Sequence, residues 1–389
     1  MAQLVNADEE GIRIASAVLK EGGLVAFPTE TVYGLGANAL NSNAVRKIFI
    51  AKGRPLSDPL IVHTTDVSRA LELIDGTDLA AVEIFKLLGR IFWPGPLTLV
   101  VKASRIIPDE VTANTGYVGI RVPSNKVAMS LLSECQLPLA APSANKFGHV
   151  SPTRAEHVLK DLADSSIIVL KGIDNNSNED TCRIGIESTV AKIDSASKTI
   201  FILRQGAVSR AQLTIALTSA GIDWLVSEDV KKFHQTTATS ELTVGSEAPG
   251  MCLTHYAPDV PCYVLDTEAT PLSPLFILLS PVSYTPLNEE NKNILTTAVI
   301  LDFNAKVVHL ASSVLAYRDL SSAGDVAEAA RCLFEYLRWA ESLPGARTLL
   351  VCQVNAFDGS ELVLGIQDRI FRASSGKVMQ LRSSLKPDR

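Results

Sequence analysis

The fold is decided by residues 23–63, which read GLVAFPTETVYGLGANALNSNAVRKIFIAKGRPLSDPLIVH. The apolar run Leu24–Phe27 follows two glycines and predicts a buried strand. Asparagine and serine caps then open a predicted helix, which a glycine and a proline end where Lys52 and Arg54 stand. An apolar strand, a hydroxyl-rich turn and a helix ending in a basic pair are typical of a site that handles phosphate.

Strand-like and helix-like patterns alternate along the chain downstream of this stretch. The predicted strands cover residues 60–62, 97–101, 118–122, 167–170, 188–193 and 199–203, and the predicted helices cover residues 78–90, 124–134, 154–162 and 208–220. This alternation indicates a mixed α/β domain with a twisted sheet over residues 1–228.

The pattern weakens after residue 228 and returns near residue 259. Residues 229–258 are polar and without sustained periodicity, which predicts a linker. Beyond them, predicted strands cover residues 262–265, 275–279, 298–303 and 348–354, and predicted helices cover residues 324–341 and 360–373. The length of 389 residues also exceeds what one ordinary core accommodates. We therefore expect a second, smaller α/β domain with a Rossmann-like sheet over residues 259–389.

Charge and cysteine content limit the classes of protein to which the chain can belong. The formal net charge is −6, whereas a protein that mainly coats nucleic acid carries a basic face. The six cysteines are scattered without a CxxC pair, so we expect neither a zinc site nor a disulfide framework. The amino terminus does not resemble a signal peptide, and no apolar run approaches the roughly 18 residues of a membrane span. We expect a soluble, cytoplasmic protein.

Three motifs in the sequence imitate sites that their context does not support. Gly34, Gly36 and Ala39 fit the dinucleotide pattern GxGxxG/A, but no helix is predicted to open directly after them. Gly376 and Lys377 suggest a P-loop, yet the residues around them break the Walker pattern. The six histidines show no HExxH or paired spacing, so no protein-held transition metal is expected.

Several short motifs could carry chemistry, although each has an ordinary structural explanation. Lys52 and Arg54 could bind phosphates or form a solvated helix end. The turn at residues 141–145, APSAN, could hold phosphate oxygens or be a plain proline-containing turn. Arg121, alone in an apolar run, points either to solvent or to an anion. The polar PTET segment before Gly34 would be explained by a close backbone approach to a ligand.

Taken together and in order, these blocks resemble one known family. FPTETVYGLGANA, KGRP with PLIVH, GIRVP, APSAN, SPT, ESTV and LRQGAV are similar to the threonylcarbamoyl-AMP synthase family, built on the YrdC-like domain. The match spans residues 10–225. PGMCLTHYAP in the linker and IQDRIFRASSGK in the final domain resemble the longer, two-domain branch of that family.

The resemblance implies an enzyme that joins L-threonine, bicarbonate and ATP into threonylcarbamoyl-AMP and pyrophosphate, with magnesium accompanying the ATP. Its product would be the substrate of a downstream tRNA threonylcarbamoyl transferase. The resemblance does not decide whether the enzyme itself binds tRNA stably. The resemblance implies that threonine is bound by Thr31, His63, Arg121, Ala141 and Ser188. It implies that ATP is bound by Lys52, Arg54, Asp58, Tyr117, Ser143, Asn145, Ser151, Arg204, His255 and Tyr256. Lys52 and Arg54 are also implied to be catalytic. The alternative is a catalytically inactive YrdC-like protein that binds nucleic acid or has a regulatory role.

The chain departs from the family pattern at three places. Asp58 stands where the family usually has asparagine, and a carboxylate beside phosphates is repulsive unless it is paired or turned away. Tyr117 replaces a threonine, and residues 252–254 replace a more basic run. We expect the HYAP segment to cover the active site, with a plain tether as the alternative. We also expect Lys52 and Arg54 to face a solvated pocket, and the sequence assigns no general base.

Overall fold

The computed structural model describes residues 1–172, 182–228, 255–267, 283–287, 292–355 and 360–381. The chain divides into two compact units, one comprising Met1–Phe147 and Ser151–Met251, the other Gly148–Val150 and Cys252–Arg389. The predicted strand at residues 275–279, most of the predicted linker and the departure at residues 252–254 lie outside the described residues. No helix in the described part of the chain is long and apolar enough to cross a membrane.

The first unit contains one large mixed sheet. Its strands are β1 (Gln3–Asn6), β2 (Leu24–Phe27), β3 (Gly34–Asn38), β4 (Ile61–His63), β5 (Leu97–Lys102), β6 (Tyr117–Arg121), β7 (Leu139–Ala140), β8 (Ile167–Lys171), β9 (Thr189–Asp194), β10 (Thr199–Arg204) and β11 (Leu225–Glu228). They lie in the order β1-β8-β2-β3-β7-β4-β6-β5-β9-β10-β11. The strands predicted from periodicity are therefore confirmed within a residue or two at each end.

Helices cover this sheet and enclose its core. They are α1 (Glu9–Lys20), α2 (Ser42–Lys52), α3 (Val67–Leu71), α4 (Leu79–Phe92), α5 (Asp109–Thr112), α6 (Lys126–Cys135), α7 (Ala155–Leu162) and α8 (Arg210–Ser219). The apolar faces of α2 and α4 pack with central strands in one large cluster of buried side chains, while α1 and α6 share a second cluster with β2. The mixed α/β class predicted from the sequence is correct.

Helix α2 ends in a way that fixes the direction of the basic pair. Asn41 caps its start by accepting hydrogen bonds from the backbone N–H groups of the first turn. At its end, Gly53 adopts φ +64, a left-handed conformation that residues with a Cβ adopt at a cost. Because the chain reverses at Gly53, Lys52 and Arg54 leave the helix end in different directions.

The dinucleotide-like glycines form strand β3, and not a strand-to-helix turn. Gly34 pairs with Phe27 across the antiparallel β2–β3 ladder. A Cβ at Gly36 would stand 2.7 Å from the Phe27 ring, so this glycine makes room for a buried aromatic side chain. Packing within the sheet therefore accounts for the glycine at position 36.

The second unit contains a six-stranded sheet in which every described pairing is parallel. Its elements are β12 (Cys262–Thr267), β13 (Ser283–Leu287), β14 (Ala298–Asp302), β15 (Ala316–Asp319), β16 (Thr348–Cys352), β17 (Lys377–Leu381), α9 (Val326–Ser342), α10 (Leu362–Ala373) and two short 3₁₀ helices (Lys292–Thr297, Val308–Leu310). The strand order is β13-β17-β12-β16-β14-β15. This parallel, helix-covered sheet is the predicted Rossmann-like architecture. Lys377, the residue of the false P-loop, begins strand β17.

Candidate active site

Glu30 and Arg121 form a buried ion pair at the centre of the first unit. Arg121 Nη2 lies 2.6 Å from Glu30 Oε1, and the two side chains are only 4% and 1% exposed. Burial alone would raise the pKa of Glu30, but the guanidinium of Arg121 holds that pKa below its ordinary value. The carboxylate is therefore charged, and the pair brings no net charge to the site.

The loop between β2 and β3 places a hydroxyl beside this pair. Thr29 Oγ1 donates to the carbonyl of Val32 at 2.6 Å, which closes the loop into a tight turn. Thr31 Oγ1 lies 2.8 Å from Thr29 Oγ1 and accepts a hydrogen bond from Arg121 Nη1 at 3.0 Å. The polar PTET segment thus turns three consecutive polar side chains inward.

His63 lies next to Arg121 because strands β4 and β6 run parallel and pair these two residues in register. Burial, together with the positive charge of Arg121, lowers the pKa of His63 to about 3, which makes the imidazole neutral at physiological pH. Its Nδ1 is buried without a hydrogen-bond partner among the described residues. The site therefore offers an uncharged imidazole nitrogen beside a balanced ion pair.

Lys52 organises the APSAN turn. Its Nζ donates to the carbonyl oxygens of Ser143 and Asn145, each at 2.5 Å. The side chain is 2% exposed, so the expectation of a solvated pocket at this residue was wrong. The physical reason is that backbone carbonyls from a distant segment solvate the ammonium group in place of water. Ser143 and Asn145 are thus brought to Lys52, as the family motifs suggested.

Arg54 is held by its own loop. Its Nε donates to the carbonyl of Asp58 at 3.1 Å, and its Nη2 donates to the carbonyl of Pro59 at 2.8 Å. The same Nη2 lies 2.9 Å from Asp58 Oδ2, and both side chains are buried. The sequence predicted a solvated pocket at Arg54 as well, and that prediction was wrong because the Arg54 side chain is buried. Asp58 is a paired carboxylate and does not turn away.

Arg204 and Ser188 meet where strands β9 and β10 pair. Arg204 Nε and Nη2 donate to the backbone carbonyl and to Oγ of Ser188, both at 3.1 Å. Ser188 Oγ also lies 2.8 Å from Thr98 Oγ1 on β5. Burial raises the pKa of Asp58, and the positive charges of Arg54, Lys52 and Arg204 act against that rise, so we refer to these four residues as the positive cluster.

Two further predicted residues sit at the edge of these clusters. Ser151 Oγ donates to Glu187 Oε1 at 2.5 Å, and Glu187 directly precedes Ser188. Ala141 is buried, and its N–H donates to the carbonyl of Ile61 on strand β4. Both residues therefore lie on loops that the central strands hold in place.

Tyr117 is the predicted residue that described contacts do not join to either cluster. It begins strand β6, whereas Arg121 ends it, which separates the two by about 13 Å at a rise of ~3.3 Å per residue. Its ring lies under Lys192 Nζ, at 4.1 Å from the ring centre.

The comparisons with known proteins agree with this architecture. The Sua5/YciO/YrdC family model, described as telomere recombination, matches residues 17–206. A second model, described as the C-terminal domain of threonylcarbamoyl-AMP synthase, matches residues 208–375. The threonylcarbamoyl-AMP synthase of Bacillus subtilis is 40% identical over 264 residues, which cover 67% of this chain and 68% of that protein. The chain belongs to the threonylcarbamoyl-AMP synthase family.

Other members of the threonylcarbamoyl-AMP synthase family support the same assignment. The synthase of Pyrococcus abyssi is 38% identical over 259 residues, which cover 67% of this chain and 69% of that protein. A crystal structure of P. abyssi Sua5 complexed with L-threonine superposes with a TM-score of 0.76 at 29% identity, covering 98% of this chain and 99% of that one. Both units of the chain therefore have counterparts in this threonylcarbamoyl-AMP synthase fold.

The remaining predicted residues of this threonylcarbamoyl-AMP synthase family member, His255 and Tyr256, lie in the second unit. The centre of the Tyr256 ring lies 5.3 Å from the centre of the Phe334 ring on helix α9. The His255 ring contacts the Tyr256 ring edge-on. Their assignment to ATP, and the covering of the active site by the HYAP segment, stay predictions.

Sequence reasoning missed three residues of the site in this family member. Glu30, Thr98 and Glu187 are buried and contact Arg121, Ser188 and Ser151 respectively. Glu30 had a usable signal, because an acidic side chain between an apolar strand and two glycines is unusual. Thr98 had none, since a threonine within an apolar strand is ordinary.

Histidine and carboxylate side chains that could together hold a metal ion occur at one place among the described residues. Their one cluster of three potential ligands is His149, Asp259 and Glu341, in the second unit, with ligand atoms within 4.8 Å of one another. His149 Nε2 there lies at hydrogen-bond distance, 3.0 Å, from Glu341 Oε2. Among the described residues, no such cluster includes side chains next to Lys52 or Arg54.

Proposed function

We infer that this chain makes threonylcarbamoyl-AMP from L-threonine, bicarbonate and ATP and releases pyrophosphate. One observation carries the assignment to particular residues. Two buried groups of charges of different balance lie in the first unit, an electrically balanced pair at Glu30 and Arg121 and a net positive group in which Lys52, Arg54 and Arg204 outnumber Asp58. The first suits a zwitterion, and the second suits a polyphosphate.

The balanced cluster supports binding of a free amino acid. Arg121 uses Nε for the carbonyl of Gly95 and one N–H of Nη1 for Thr31, which leaves other N–H groups for a substrate carboxylate. The carboxylate of Glu30 can face the ammonium group of the same zwitterion. Neutral His63 and the hydroxyl groups of Thr31 and Ser188 then supply partners for the threonine hydroxyl. An amino acid without that hydroxyl would leave buried polar groups unpaired, which is a strong basis for selectivity.

The positive cluster supports phosphoryl chemistry. The neutral amine of threonine first forms an N–C bond with bicarbonate, which gives N-carboxythreonine and releases water. An oxygen of N-carboxythreonine then attacks the α-phosphorus of ATP, the bond between that phosphorus and the oxygen bridging to the β-phosphate breaks, and pyrophosphate leaves with the electron pair. Because an anion approaches a polyanion, positive groups must screen the charge before in-line attack can occur. Lys52, Arg54 and Arg204 are held by hydrogen bonds before substrate arrives, so little reorganisation is needed at the moment of reaction.

Magnesium would reach this site as part of the ATP complex, where it screens phosphate charge. The donor set agrees with this role, because the carboxylate inside the positive cluster, Asp58, is already paired with Arg54. The protein groups that act directly on the triphosphate are then the cations of the cluster and the donors of the APSAN turn.

The product, a mixed anhydride of a carbamate and AMP, is reactive and must pass to an acceptor. We propose that a tRNA threonylcarbamoyl transferase consumes it to make threonylcarbamoyladenosine in tRNA, in the cytoplasm. Among the described residues, no particular contact favours the alternative of an inactive nucleic-acid-binding or regulatory protein, and buried charges suit small ligands better than a nucleic-acid surface.

The test is pyrophosphate release by the purified protein with ATP, Mg²⁺, bicarbonate and L-threonine, omitting each component in turn. We expect release only in the complete mixture, and we expect L-valine, which lacks the hydroxyl group, to replace L-threonine poorly. Glu83→Gln, at an exposed pair with Lys86, serves as a control that should keep full activity. Release that is absent, or that does not depend on threonine, would contradict the proposed function.

A further inference from the structure

Asp58 places a carboxylate inside the cluster of cations that the proposed function assigns to the triphosphate. Its Oδ2 lies 2.9 Å from Arg54 Nη2, and the side chains of Arg54 and Asp58 are only 3% and 7% exposed. Burial raises the pKa of Asp58, and the charges of Arg54, Lys52 and Arg204 act against that rise. Three cations and one anion therefore share a site with little access to water.

The pairing changes what Arg54 can offer a ligand. Its Nε and Nη2 already donate to the carbonyl oxygens of Asp58 and Pro59, and its charge is balanced by the Asp58 carboxylate. A phosphate that approaches Arg54 must therefore also approach a negative charge. Because Coulomb repulsion scales with the product of the two charges, it is largest for the most highly charged nucleotide.

We propose that Asp58 shifts the relative affinity of this chain toward the magnesium complex of ATP and away from metal-free ATP. The inference rests on the proposed function, since it takes the cluster of Lys52, Arg54 and Arg204 as the phosphate site. In the magnesium complex the metal cancels part of the phosphate charge, so the repulsion from Asp58 is smaller. Asp58 thus acts as a specificity-determining residue through its charge alone and ligates no metal.

The experiment measures ATP binding by equilibrium dialysis at constant ionic strength, with either excess Mg²⁺ or EDTA, and without threonine or bicarbonate. Asp58→Asn removes the charge and keeps the size, and the introduced amide oxygen can still accept from Arg54. We expect this variant to bind metal-free ATP about tenfold more tightly than the wild type, and the magnesium complex at most about threefold more tightly. The preference for the magnesium complex therefore shrinks.

Two variants control for the substitution itself. Asp58→Glu keeps the charge and should keep the wild-type preference for the magnesium complex. Asp75→Asn removes a carboxylate that pairs with Lys102, a residue outside the cluster, and should change neither affinity. If circular dichroism shows that Asp58→Asn does not fold, Asp58→Ser removes the same charge and leaves the backbone contacts of Arg54 in place.

Two results would overturn the proposal while leaving the proposed function intact. In the first, the charge-removing variant binds both forms of ATP as the wild type does, which would show that the charge of Asp58 does not affect ATP affinity. In the second, it loses affinity for the magnesium complex alone, so Asp58 holds the metal. Failure of the wild type to bind ATP in either form is a different outcome, because it contradicts the phosphate site and with it the proposed function.

Discussion

Replacing Glu30 by glutamine should destabilise the first unit more than almost any other substitution that conserves side-chain size. Glu30→Gln removes the charge that balances Arg121, which is itself only 4% exposed. At 2.6 Å and an effective dielectric constant of ~20, the lost attraction is about 6 kcal/mol before desolvation is subtracted. Breaking one side of a buried ion pair typically costs about 3–5 kcal/mol in the free energy of unfolding.

We expect the loss at the lower end of that range, about 3 kcal/mol, because Arg121 keeps other partners. Its Nε still donates to the carbonyl of Gly95 and its Nη1 to Thr31 Oγ1. The variant should also bind L-threonine more weakly, since the ammonium group loses its carboxylate.

The pH dependence of the free energy of unfolding provides a second, independent test of the Glu30–Arg121 ion pair. The pKa of Glu30 in the folded protein is below its ordinary value of 4.5, so its stabilising contribution is fully present above pH 4.5. That contribution is lost as the pH falls through the folded-state pKa. The difference in stability between wild type and variant should therefore be constant near neutral pH and shrink in acid.

Urea unfolding followed by far-UV circular dichroism at a series of pH values provides the assay. Glu83→Gln, at the exposed pair with Lys86, is the matched control and should show no measurable change. A loss below about 1 kcal/mol at pH 7, under half of the smallest cost known for breaking a buried pair, would refute the reasoning. A difference that grows as the pH is lowered would refute it as well.

The remaining predictions concern the phosphate cluster and the second unit. Lys52→Met should lower turnover by about 10²–10³-fold, because the site loses a preorganised charge. It should also speed amide hydrogen exchange at residues 143–147, and unchanged exchange there would contradict the role of Lys52 in holding the turn. Leu350→Ala, in the wholly buried strand β16, should cost about 2–5 kcal/mol of the second unit's stability by calorimetry, and a cost under about 1 kcal/mol would contradict the packing. A chain ending at residue 228 should lose activity if the linker and final domain control access, and full activity would refute that prediction.

Much of the fold followed from sequence periodicity because apolar faces dictate which elements form. Helix α9 was predicted over residues 324–341, and the residues that form its apolar face are all buried: Val326, Ala330, Leu333, Phe334 and Leu337. Strand β3 was not predicted, because its glycine-rich sequence carries no alternating pattern and its place depends on pairing with β2 and β7. The two-residue strand β7 is too short for any periodic signal.

The sequence could suggest candidate site residues, but it could not show the contacts between them. The family motifs named Lys52, Ser143 and Asn145 together, and the structure joins them through hydrogen bonds. No local pattern could show that Lys52 is buried, because its partners are backbone carbonyls more than ninety residues away. The unusual PTET segment drew attention to the region of Glu30, but its ion pair with Arg121 on strand β6 could not be read from the local sequence.

The central claim is that this chain builds the threonylcarbamoyl group on AMP, and direct detection of that product tests it best. The purified protein would be incubated with ATP, Mg²⁺, L-threonine and ¹³C-bicarbonate, and the mixture analysed at once by mass spectrometry. We predict threonylcarbamoyl-AMP carrying the label in its carbamoyl carbon, formed together with pyrophosphate. Pyrophosphate without that product, or a product that carries no label from bicarbonate, would contradict the account.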